Sequence, residues 1–443
     1  MALSDNRRQR TVMLCAMYLA QGIPWGFMVT SVAAYLAEHG VEDAEIANLI
    51  AAVMYPWTFK LVWAPIMDSL TVRSMGRRRP WIIGAELLMA ASLLALMTVD
   101  NLEGQLETLK WMFFMHNVFA SLQDVCTDAL AVDILPPEEQ GRVNGLMWGW
   151  KLVGKGVGGA ALAWVISVWS FQAAIMVQFA ILMGIMLFPI LLLERPGEKR
   201  MPWSQGQAGE TGPGGNIRGL SAIFRDLFTG FSILTTSAYA LYATIHVAGW
   251  GIVEVISKPV YTQRIKWTFV DYSYIEGWSI FPQLFGAIIG GWLCDRLGRK
   301  TIMLSGFGTY GLMAIVFGMF PQMWEQNWFA TGYLLCSPGI LALGSVGFLS
   351  MGMKISWTTS AATMFTIFMT LSNVGHVIGT KITGYLRTDL DLSHEETFIA
   401  AGITMCAPML LLLCVRPKKI EEAEAQILRA PLDEQPPIGE TTP

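Results

Sequence analysis

Windows of about 20 mostly apolar residues, the length at which a helix crosses a bilayer, recur along the chain. Charged residues or clusters of Gly and Pro separate these windows. In the first half they run over Thr11–Leu36, Ile46–Met67, Trp81–Val99, Leu109–Leu135, Val143–Val168 and Ala173–Leu193. In the second half they run over Leu227–Ile256, Tyr272–Leu293, Thr301–Phe320, Trp328–Leu349, Trp357–Leu386 and Phe398–Val415. The pattern predicts an all-α membrane protein with twelve transmembrane helices.

The composition excludes a water-soluble protein. Only 14% of the 443 residues are charged and 53% are hydrophobic, whereas roughly 25% of an average soluble domain is charged. The net charge of −4 and the absence of a basic domain argue against nucleic-acid binding. The 6 cysteines are scattered, without a C-x-x-C pair or a histidine at ligand spacing. We therefore expect no disulfide framework, no metal site and no cofactor.

A change of composition divides the chain into two halves. Glu194–Asp226 is rich in Gly and Pro, a composition that builds no core and is typical of a mobile linker. We therefore predict an N-terminal six-helix bundle over residues 1–193, a cytoplasmic linker over 194–226 and a C-terminal six-helix bundle over 227–415. The tail over 416–443 becomes Pro-rich, which predicts disorder.

The distribution of Lys and Arg predicts the topology. If the N-terminus is cytoplasmic, 21 Lys and Arg residues lie on the cytoplasmic side and 5 on the opposite side. Cytoplasmic loops carry such an excess of positive charge. We therefore predict an integral multi-pass plasma-membrane protein, in the inner membrane if the cell is Gram-negative, with both termini cytoplasmic.

Two similar loops follow the second and the eighth windows. Residues 291–300 read GWLCDRLGRK, which fits the pattern G-x-x-x-D-x-x-G-R-K and resembles the signature loop of the major facilitator superfamily. Residues 68–79, DSLTVRSMGRRR, are a stretched version of it. Six windows separate the two copies, so the chain is a duplication of two pseudo-symmetric six-helix bundles, the usual plan of a secondary transporter.

Each loop brings a carboxylate close to a basic cluster, which suggests a gating latch made in one conformation and broken in another. The alternative is that the arginines enforce the topology and meet lipid phosphates. The candidate gating residues are Asp68, Arg77, Arg78, Arg79, Gly291, Asp295, Gly298, Arg299 and Lys300.

Ionisable residues cluster inside the windows of the first half, where each is costly and hence a functional candidate. Asp124 and Asp128 are four residues apart and share a helix face, as do Lys151 and Lys155. Lys60 lies at a depth of about 12 Å, similar to that of Lys151. In one interpretation Asp124 and Asp128 exchange the transported proton while the three lysines bind the solute. In the other, the pairs are static salt bridges.

Further polar residues inside the windows are candidate solute contacts. They are Trp25, Gln123, His246, Glu254, Gln283, Asn373 and His376. Alternatively, each histidine bonds only to the backbone of its own helix. Glu254 lies near Lys258 and is a candidate gate at the outer mouth.

Three stretches of the first half resemble the bacterial muropeptide permease (AmpG-like) family within the major facilitator superfamily, and its relatives the acetyl-coenzyme A transporters. They are YPWTFKLVWAPIMD at 55–68 with GRRRPW at 76–81, QDVCTDALAVDIL at 123–135, and EEQGR at 138–142. The resemblance implies the major facilitator fold and a proton-driven importer of anhydro-muropeptides. It places Lys60, Asp124 and Asp128 on matching positions.

These observations predict a proton-coupled symporter that brings a polar anionic solute, such as an anhydro-muropeptide, into the cytoplasm. The spacing of Gly145, Gly154 and Gly158 leaves an alternative, an exporter or exchanger of another organic anion such as an acyl-coenzyme A ester. A non-transporting sensor or scaffold is a further alternative. We do not expect an enzyme. The expected partners are the solute, protons and the bilayer, and we expect a monomer because the fold requires no partner subunit.

Overall fold

A computed structural model of the protein describes residues 2–39, 41, 43–70, 72, 74–203, 220–267, 269–356 and 361–420. The side chains of some helical residues within these ranges, Asp68 and Lys258 among them, are not described. The first half contains α1 Arg7–Gly26, α2 Ala33–Glu38, α3 Asp43–Thr58, α4 Trp63–Ser69, α5 Arg79–Leu96, α6 Leu106–Ile134, α7 Gln140–Gly156, α8 Leu162–Val168 and α9 Phe171–Leu191. The second half contains α10 Leu220–Ser232, α11 Leu234–Ile245, α12 Ala248–Pro259, α13 Phe269–Trp278, α14 Ile280–Leu297, α15 Arg299–Met319, α16 Asn327–Ile355, α17 Ala361–Thr388 and α18 His394–Cys406.

The all-α prediction is confirmed: the only strand-like pairings among the described residues are two isolated β-bridges. Each of the twelve predicted windows overlaps a helix, or two to three consecutive helices, of the structure. Within the described residues, 9 helical segments are long and apolar enough to cross a membrane. Segment α6 is not among them because Glu107, Lys110, Asp124, Asp128 and Asp133 lower its hydropathy.

The seventh window is not the single helix that its apolar pattern predicts. Ile233 is extended, with φ −77° and ψ 125°, and separates α10 from α11. Hydroxyl groups compete with the helical hydrogen bonds here, because Ser232 Oγ donates to the carbonyl oxygen of Thr229. The apolar segment therefore begins at Leu234 and runs to Ser257.

Proline shapes the segment that carries Lys60. Pro65 has no N–H group to donate to the carbonyl of residue 61, so a regular α-helix cannot pass through this point. The chain tightens into a 3₁₀ turn over Lys60–Val62, which joins α3 to α4. Proline also lacks this N–H group in α1 and α12, where Pro24 and Pro259 precede π-helical stretches.

Unit 1 of the chain comprises Met1–Pro136, Met147–Ile223 and Thr358–Thr366. In it α5 packs against α6 and α9, and α3 packs against α6. The π-helical stretch Phe27–Val32 lies against a second one, Val157–Ala161. Ser31 Oγ donates to the carbonyl oxygen of Gly158 across this contact, at 2.7 Å.

Unit 2 comprises Pro137–Leu146, Phe224–Trp357 and Ile367–Pro443. In it α15 packs against both α16 and α18, α14 packs against α16, and α12 packs against α18. Its core is rich in aromatic rings: Phe317 stacks on Tyr333 with a centroid separation of 4.2 Å and meets Phe398 edge-on at 4.9 Å.

Residues 194–203, the first part of the predicted linker, are described by the structure, and two of them are buried. Glu194 and Glu198 are only 3% and 6% exposed. The Lys199 N–H donates to the carbonyl oxygen of Ser74 at 2.8 Å. Contacts with the loop before α5 thus hold residues 194–203. The Gly and Pro content of the linker does not predict these contacts. Residues 204–219 of the linker lie outside the described residues.

Candidate solute and proton site

A buried carboxylate on α6 lies between two lysines. Asp124 Oδ2 is 2.8 Å from Lys60 Nζ, and Asp124 Oδ1 is 3.4 Å from Lys151 Nζ. None of the three side chains is more than 10% exposed. Buried ions are tolerated only when they are paired. Two cations face one carboxylate here, so the group has positive charge to offer a second anion.

Three separate segments bring these charges together. Lys60 lies on the 3₁₀ turn between α3 and α4, Asp124 lies on α6, and Lys151 lies on α7 just before its π-helical continuation. The turn that Pro65 imposes ends the regular register of α3 and so sets where the Lys60 side chain points. The predicted clustering of Lys60, Asp124 and Lys151 agrees with this geometry.

The second carboxylate of α6 has a different environment. The Tyr18 hydroxyl donates to Asp128 Oδ1 at 2.5 Å, and Asp128 is 4% exposed. Within the described part of the chain, Asp128 forms no ion pair. Asp124 and Asp128 therefore lie one helical turn apart but have different partners. Asp124 is paired with lysines, whereas Asp128 accepts a hydrogen bond from a neutral hydroxyl.

Aromatic rings surround the lysines. Lys151 Nζ lies 4.9 Å from the centroid of the Trp57 ring, 5.2 Å from that of Tyr18 and 5.7 Å from that of Trp148. Lys60 Nζ lies 5.4 Å from the Trp57 ring. A cation over an aromatic face is stabilised by the ring quadrupole. The site therefore combines positive charge with flat apolar surfaces, which suits an anionic solute with sugar rings.

Lys155 contacts the aromatic ring of Trp25. It is half-buried, and its Nζ lies 4.9 Å above the ring of Trp25. Trp25 Nε1 is buried without a hydrogen-bond acceptor among the described residues. The structure thus brings the predicted residues Lys155 and Trp25 together.

Gln123 was expected to contact solute, but its amide is engaged within the protein. Its Nε2 donates to Glu86 Oε1 at 3.0 Å and to the carbonyl oxygen of Met17 at 3.3 Å. Its Oε1 accepts from Gln21 Nε2 at 2.7 Å. Gln123 is fully buried, so in this conformation it positions neighbouring groups.

The two histidines of unit 2 have opposite environments. His246 is 1% exposed, its Nδ1 lies 2.8 Å from the carbonyl oxygen of Tyr242, and its ring stacks on that of Tyr242. His376 Nε2 lies 2.7 Å from Glu254 Oε2, and its ring packs at 4.3 Å against Trp250. The backbone alternative thus describes His246, whereas His376 joins Glu254 and Trp250.

The remaining two candidates of unit 2 lie on α14 and α17. Gln283 is half-buried and its Nε2 donates to Ser279 Oγ on the preceding turn, at 3.1 Å. Asn373 is half-buried on α17, one turn before His376. Half-burial leaves part of each amide accessible.

The arginines of the first loop are held by carboxylates of other segments. Arg78 Nε lies 2.8 Å from Asp133 Oδ2, and Arg79 Nη1 lies 3.6 Å from Glu198 Oε2. The carboxylate of Glu194 accepts from the backbone N–H groups of Arg77, Arg78 and Arg79. These groups open α5, so Glu194 satisfies the unpaired donors of that helix end. The side chain of Asp68 lies outside the described residues.

Burial changes the acid–base behaviour of this loop. Burial, together with the nearby negative charge of Glu194, raises the pKa of Glu198 to about 7. Burial also raises the pKa of Glu194, against the lowering effect of its backbone hydrogen bonds. The loop therefore contains a carboxyl that titrates near neutral pH.

The second loop contacts the start of α7, within unit 2. Asp295 accepts from the backbone N–H groups of Gly141 and Arg142, at 2.8 Å each. Arg299 Nη2 donates to Gln140 Oε1 at 3.1 Å. A carboxylate at a helix N-terminus satisfies unpaired N–H groups and opposes the helix dipole.

Three further residues of the second loop complete its geometry. Gly298 has φ +91°, a conformation that favours glycine, and joins α14 to α15. Gly291 lies so close to the backbone of Gly141 that a side chain has no room. Lys300 Nζ lies 3.5 Å from the carbonyl oxygen of Val415.

The cysteines and the acidic groups offer no metal site in the described part of the chain. All six cysteines are free. No group of three or more His, Cys, Asp or Glu side chains is arranged there to hold a metal ion.

Sequence reasoning missed three residues of the unit 1 site, Tyr18, Trp57 and Trp148, and a buried carboxyl beside it, Glu86. Trp57 precedes Lys60 by three residues and Trp148 precedes Lys151 by three, so helical spacing was an available signal. Glu86 lies inside the third apolar window, where any carboxylate is a candidate. Tyr18 had no such signal, because its partner lies on another helix.

A sequence profile of the Major Facilitator Superfamily matches residues 12–380. The chain is a major facilitator superfamily protein. Among characterised relatives, it is 23% identical to the anhydromuropeptide permease of Escherichia coli K12, over 94% of this chain and 81% of the relative. It is 29% identical to an uncharacterised membrane protein of Saccharomyces cerevisiae, over 31% of this chain and 28% of the relative. This membership and these relatives make the chain a transporter of small molecules, not an enzyme.

Solved structures share the fold of this major facilitator protein. The human organic anion transporter MFSD10 aligns with a TM-score of 0.69 at 11% identity, covering 91% of this chain and 99% of its own. The fucose:proton symporter of E. coli aligns with a TM-score of 0.65 at 11% identity, covering 92% and 98%. The prediction of two six-helix bundles in the major facilitator fold is therefore confirmed, and the chain is an integral multi-pass membrane protein.

Proposed function

We propose that this transporter is a proton-coupled symporter that carries a polar anionic solute, such as an anhydro-muropeptide, into the cytoplasm. In this proposal it lies in the plasma membrane as a monomer with both termini cytoplasmic. The similarity to the anhydromuropeptide permease supports the choice of solute. The lysines held by Asp124 are the observation that carries the proposal.

Lys60 and Lys151 would bind the anionic group of the solute. Both are buried and already share one carboxylate, Asp124. An incoming carboxylate or phosphate competes with Asp124 for them, and charge-assisted hydrogen bonds make this exchange strong and specific. Trp57 and Trp148 supply flat surfaces for sugar rings, and Lys155 with Trp25 supplies a second contact for a longer solute.

Asp128 would bind the transported proton. Its contact with the Tyr18 hydroxyl leaves it without a cation partner among the described residues. A carboxyl in such surroundings changes its protonation at modest cost, whereas Asp124 is fixed as a carboxylate by two lysines. Protonating Asp128 removes one negative charge from the site, so the lysines attract an anionic solute more strongly and the two bind together.

Unit 2 supplies further candidates for solute contact. Trp250, Glu254 and His376 form one group, and Gln283 and Asn373 remain candidates from their half-buried positions. His246 is left out because aromatic rings and a backbone carbonyl occupy its surroundings.

The two loops would act as gates. In the first loop Arg77–Arg79 meet Glu194, Asp133 and Glu198, and in the second Asp295 meets the start of α7. Contacts to a helix end or to a single carboxylate form and break as units, which suits a latch.

The proposal is tested by uptake of a labelled anhydro-muropeptide into liposomes that contain the full chain, with and without an inward proton gradient. We expect the gradient to stimulate uptake. Asp128→Asn should abolish the stimulation and leave exchange of the solute in place. Lys151→Met should raise the KM about tenfold, equivalent to ~1.4 kcal/mol. Asp100→Asn and Lys110→Met, which alter residues outside the site, are the matched controls.

Each contrary outcome has a defined meaning. Uptake without stimulation contradicts proton coupling, and wild-type rates in Asp128→Asn contradict the role of Asp128. If the solute accumulates only in inside-out vesicles, whose lumen corresponds to the exterior of the cell, the protein is an exporter. If folded protein takes up no muropeptide, the solute is wrong and acyl-coenzyme A esters are tested next.

A further inference from the structure

Another buried carboxyl of unit 1, Glu86, lies beside the site described above and has no part in the proposed solute contacts. Glu86 is on α5 and is 1% exposed. Its Oε1 accepts a single hydrogen bond, from Gln123 Nε2 at 3.0 Å. Its Oε2 has no hydrogen-bond donor among the described residues.

The orientation of the Gln123 amide follows from its other partners. Reversing the amide would place its oxygen against the carbonyl oxygen of Met17 and its nitrogen against the Gln21 nitrogen, and both contacts would repel. The nitrogen therefore points at Glu86. Among the described residues, one neutral N–H is the only hydrogen-bond donor to this carboxyl.

No cation compensates Glu86 within the described part of the chain. The helices that pack most extensively against α5 are α6 and α9. The ionisable side chains of α6 are Glu107, Lys110, His116, Asp124, Cys126, Asp128 and Asp133, and α9 has none. The cation among them, Lys110, is paired with Glu107, and Asp133 is paired with Arg78. His116 is bonded to Ser92, and the lysines are held by Asp124. From α1, Tyr18 is bonded to Asp128.

The comparison with Asp124 decides the charge of Glu86. Both carboxyls are buried in the membrane-spanning bundle, and Gln123, whose amide contacts Glu86, is the residue that precedes Asp124 in the chain. In the part of the chain that the structure describes, two lysines contact Asp124, whereas only an amide contacts Glu86. A buried carboxylate without a cation is far more costly than the neutral acid. Glu86 is therefore the acid and Asp124 the carboxylate.

We propose that Glu86 is a further proton-binding site of this transporter, which holds its proton while Gln123 and Gln21 seal it and releases it when α1, α5 and α6 rearrange. The release is a simple ionisation: the Oε–H bond breaks, the proton passes to water, and Glu86 is left as the carboxylate. The inference that this proton belongs to the transport cycle rests on the proposed symport.

The protonation state is tested without any solute. The infrared spectrum of the purified full chain should show the C=O stretch of a protonated buried carboxyl at neutral pH. Glu86→Gln should remove that band, and Asp100→Asn, which alters an exposed carboxyl, should leave it. Glu86→Asp should restore a band at a shifted position. A spectrum unchanged by Glu86→Gln would overturn the proposal.

The role in transport is tested in liposomes with labelled anhydro-muropeptide. Glu86→Gln keeps the size and the hydrogen-bond acceptor of Glu86 but cannot ionise. We expect its gradient-driven uptake to fall at least tenfold, and its solute exchange in the absence of a gradient to stay within about threefold of wild type. Full gradient stimulation in Glu86→Gln would overturn this role.

The two proposals fail in different ways. If the wild type shows no gradient-driven uptake, the proposed symport is wrong, and the infrared band still decides whether Glu86 binds a proton. If Glu86→Gln does not fold, Glu86→Asp takes its place: it should retain gradient-driven uptake with a displaced pH optimum. An unchanged optimum would count against Glu86.

Discussion

The two units share a helical plan but are stabilised in different ways. Unit 1 buries ions, with Asp124 paired to two lysines that are at most 10% exposed. Unit 2 buries rings, with Phe317 stacked on Tyr333 in an aromatic core. Its Glu254–His376 pair is partly open to its surroundings, at 54% and 25% exposure.

The difference shows that unit 1 carries a desolvation penalty that the aromatic core of unit 2 avoids. Aromatic packing stabilises a membrane bundle with little desolvation penalty, whereas buried ions are expensive even when paired. Selection for stability alone would have produced rings in both units. The ions of unit 1 are therefore consistent with the proposed binding of solute and protons.

We expect the largest effect from a substitution that disrupts the buried group of Lys60, Asp124 and Lys151. Lys60→Met leaves Asp124 with Lys151 alone, and we expect the free energy of unfolding to fall by about 3–5 kcal/mol. His376→Gln in unit 2 should cost less than about 1 kcal/mol, because its pair is partly exposed. Reversible unfolding of the purified variants in mixed detergent measures both. Equal losses in the two units would remove the contrast between them.

Close helix packing, in contrast, should matter equally in both units. A side chain at Gly158 would meet the carbonyl oxygen of Ile23, and one at Gly375 would meet that of Thr244. We expect Gly158→Ala and Gly375→Ala each to cost about 1–3 kcal/mol in the free energy of unfolding. Gly84→Ala is the control, since nothing lies within 4 Å of its added carbon. A loss confined to one unit would show that only that unit depends on tight helix crossings.

The helix-end contact of the second loop should have a smaller effect. Asp295→Ala removes the acceptor of the Gly141 and Arg142 N–H groups, and we expect a loss of about 1 kcal/mol. Asp295→Asn keeps an acceptor and should lose less. Hydrogen exchange at these two amides provides the measurement. Unaltered exchange in Asp295→Ala would mean that the carboxylate does not hold the start of α7.

The smallest effect is a pH dependence that only the first loop should show. The pKa of Glu198 is about 7 in the folded chain, above its ordinary 4.5. The folded state therefore binds more protons between these values, and the packing of residues 194–203 weakens as the pH rises from about 4.5 to about 7, then levels off.

Hydrogen exchange of residues 194–203, corrected for its intrinsic pH dependence, measures this weakening. We expect more protection at pH 5 than at pH 7.5 in the wild type and a smaller difference in Glu198→Gln, in which Glu194, whose pKa burial also raises, still titrates. The second loop, which has no such carboxyl among its described contacts, serves as the reference. Equal pH dependence in both loops would mean that Glu198 does not cause the effect.

Much of the site was predictable because the bilayer makes charge conspicuous. Lys60, Asp124, Asp128 and Lys151 each interrupt an apolar window, and their similar depth follows from counting residues along helices. The same rule applied to the third window would have found Glu86. Pairing was not predictable, since helical spacing relates residues of one helix and says nothing about its neighbours.

In the second half, residues with the same sequence pattern have different environments. His246 and His376 interrupt apolar helices in the same manner, yet one is packed among rings and the other meets Glu254. The two environments depend on which helices lie alongside. The docking of Glu194 onto the start of α5 depends in the same way on a contact between distant segments.

The amino-acid sequence by itself determined the helical class, the positions of the membrane windows and the internal duplication. These follow from hydrophobicity, segment length and motif spacing, which are local properties of the chain. Only the tertiary structure decided that two lysines share Asp124, that Tyr18 serves Asp128 and that Glu86 has no cation among the described residues. Partners of buried ions come from other helices, and which helices meet is fixed by packing over the whole bundle.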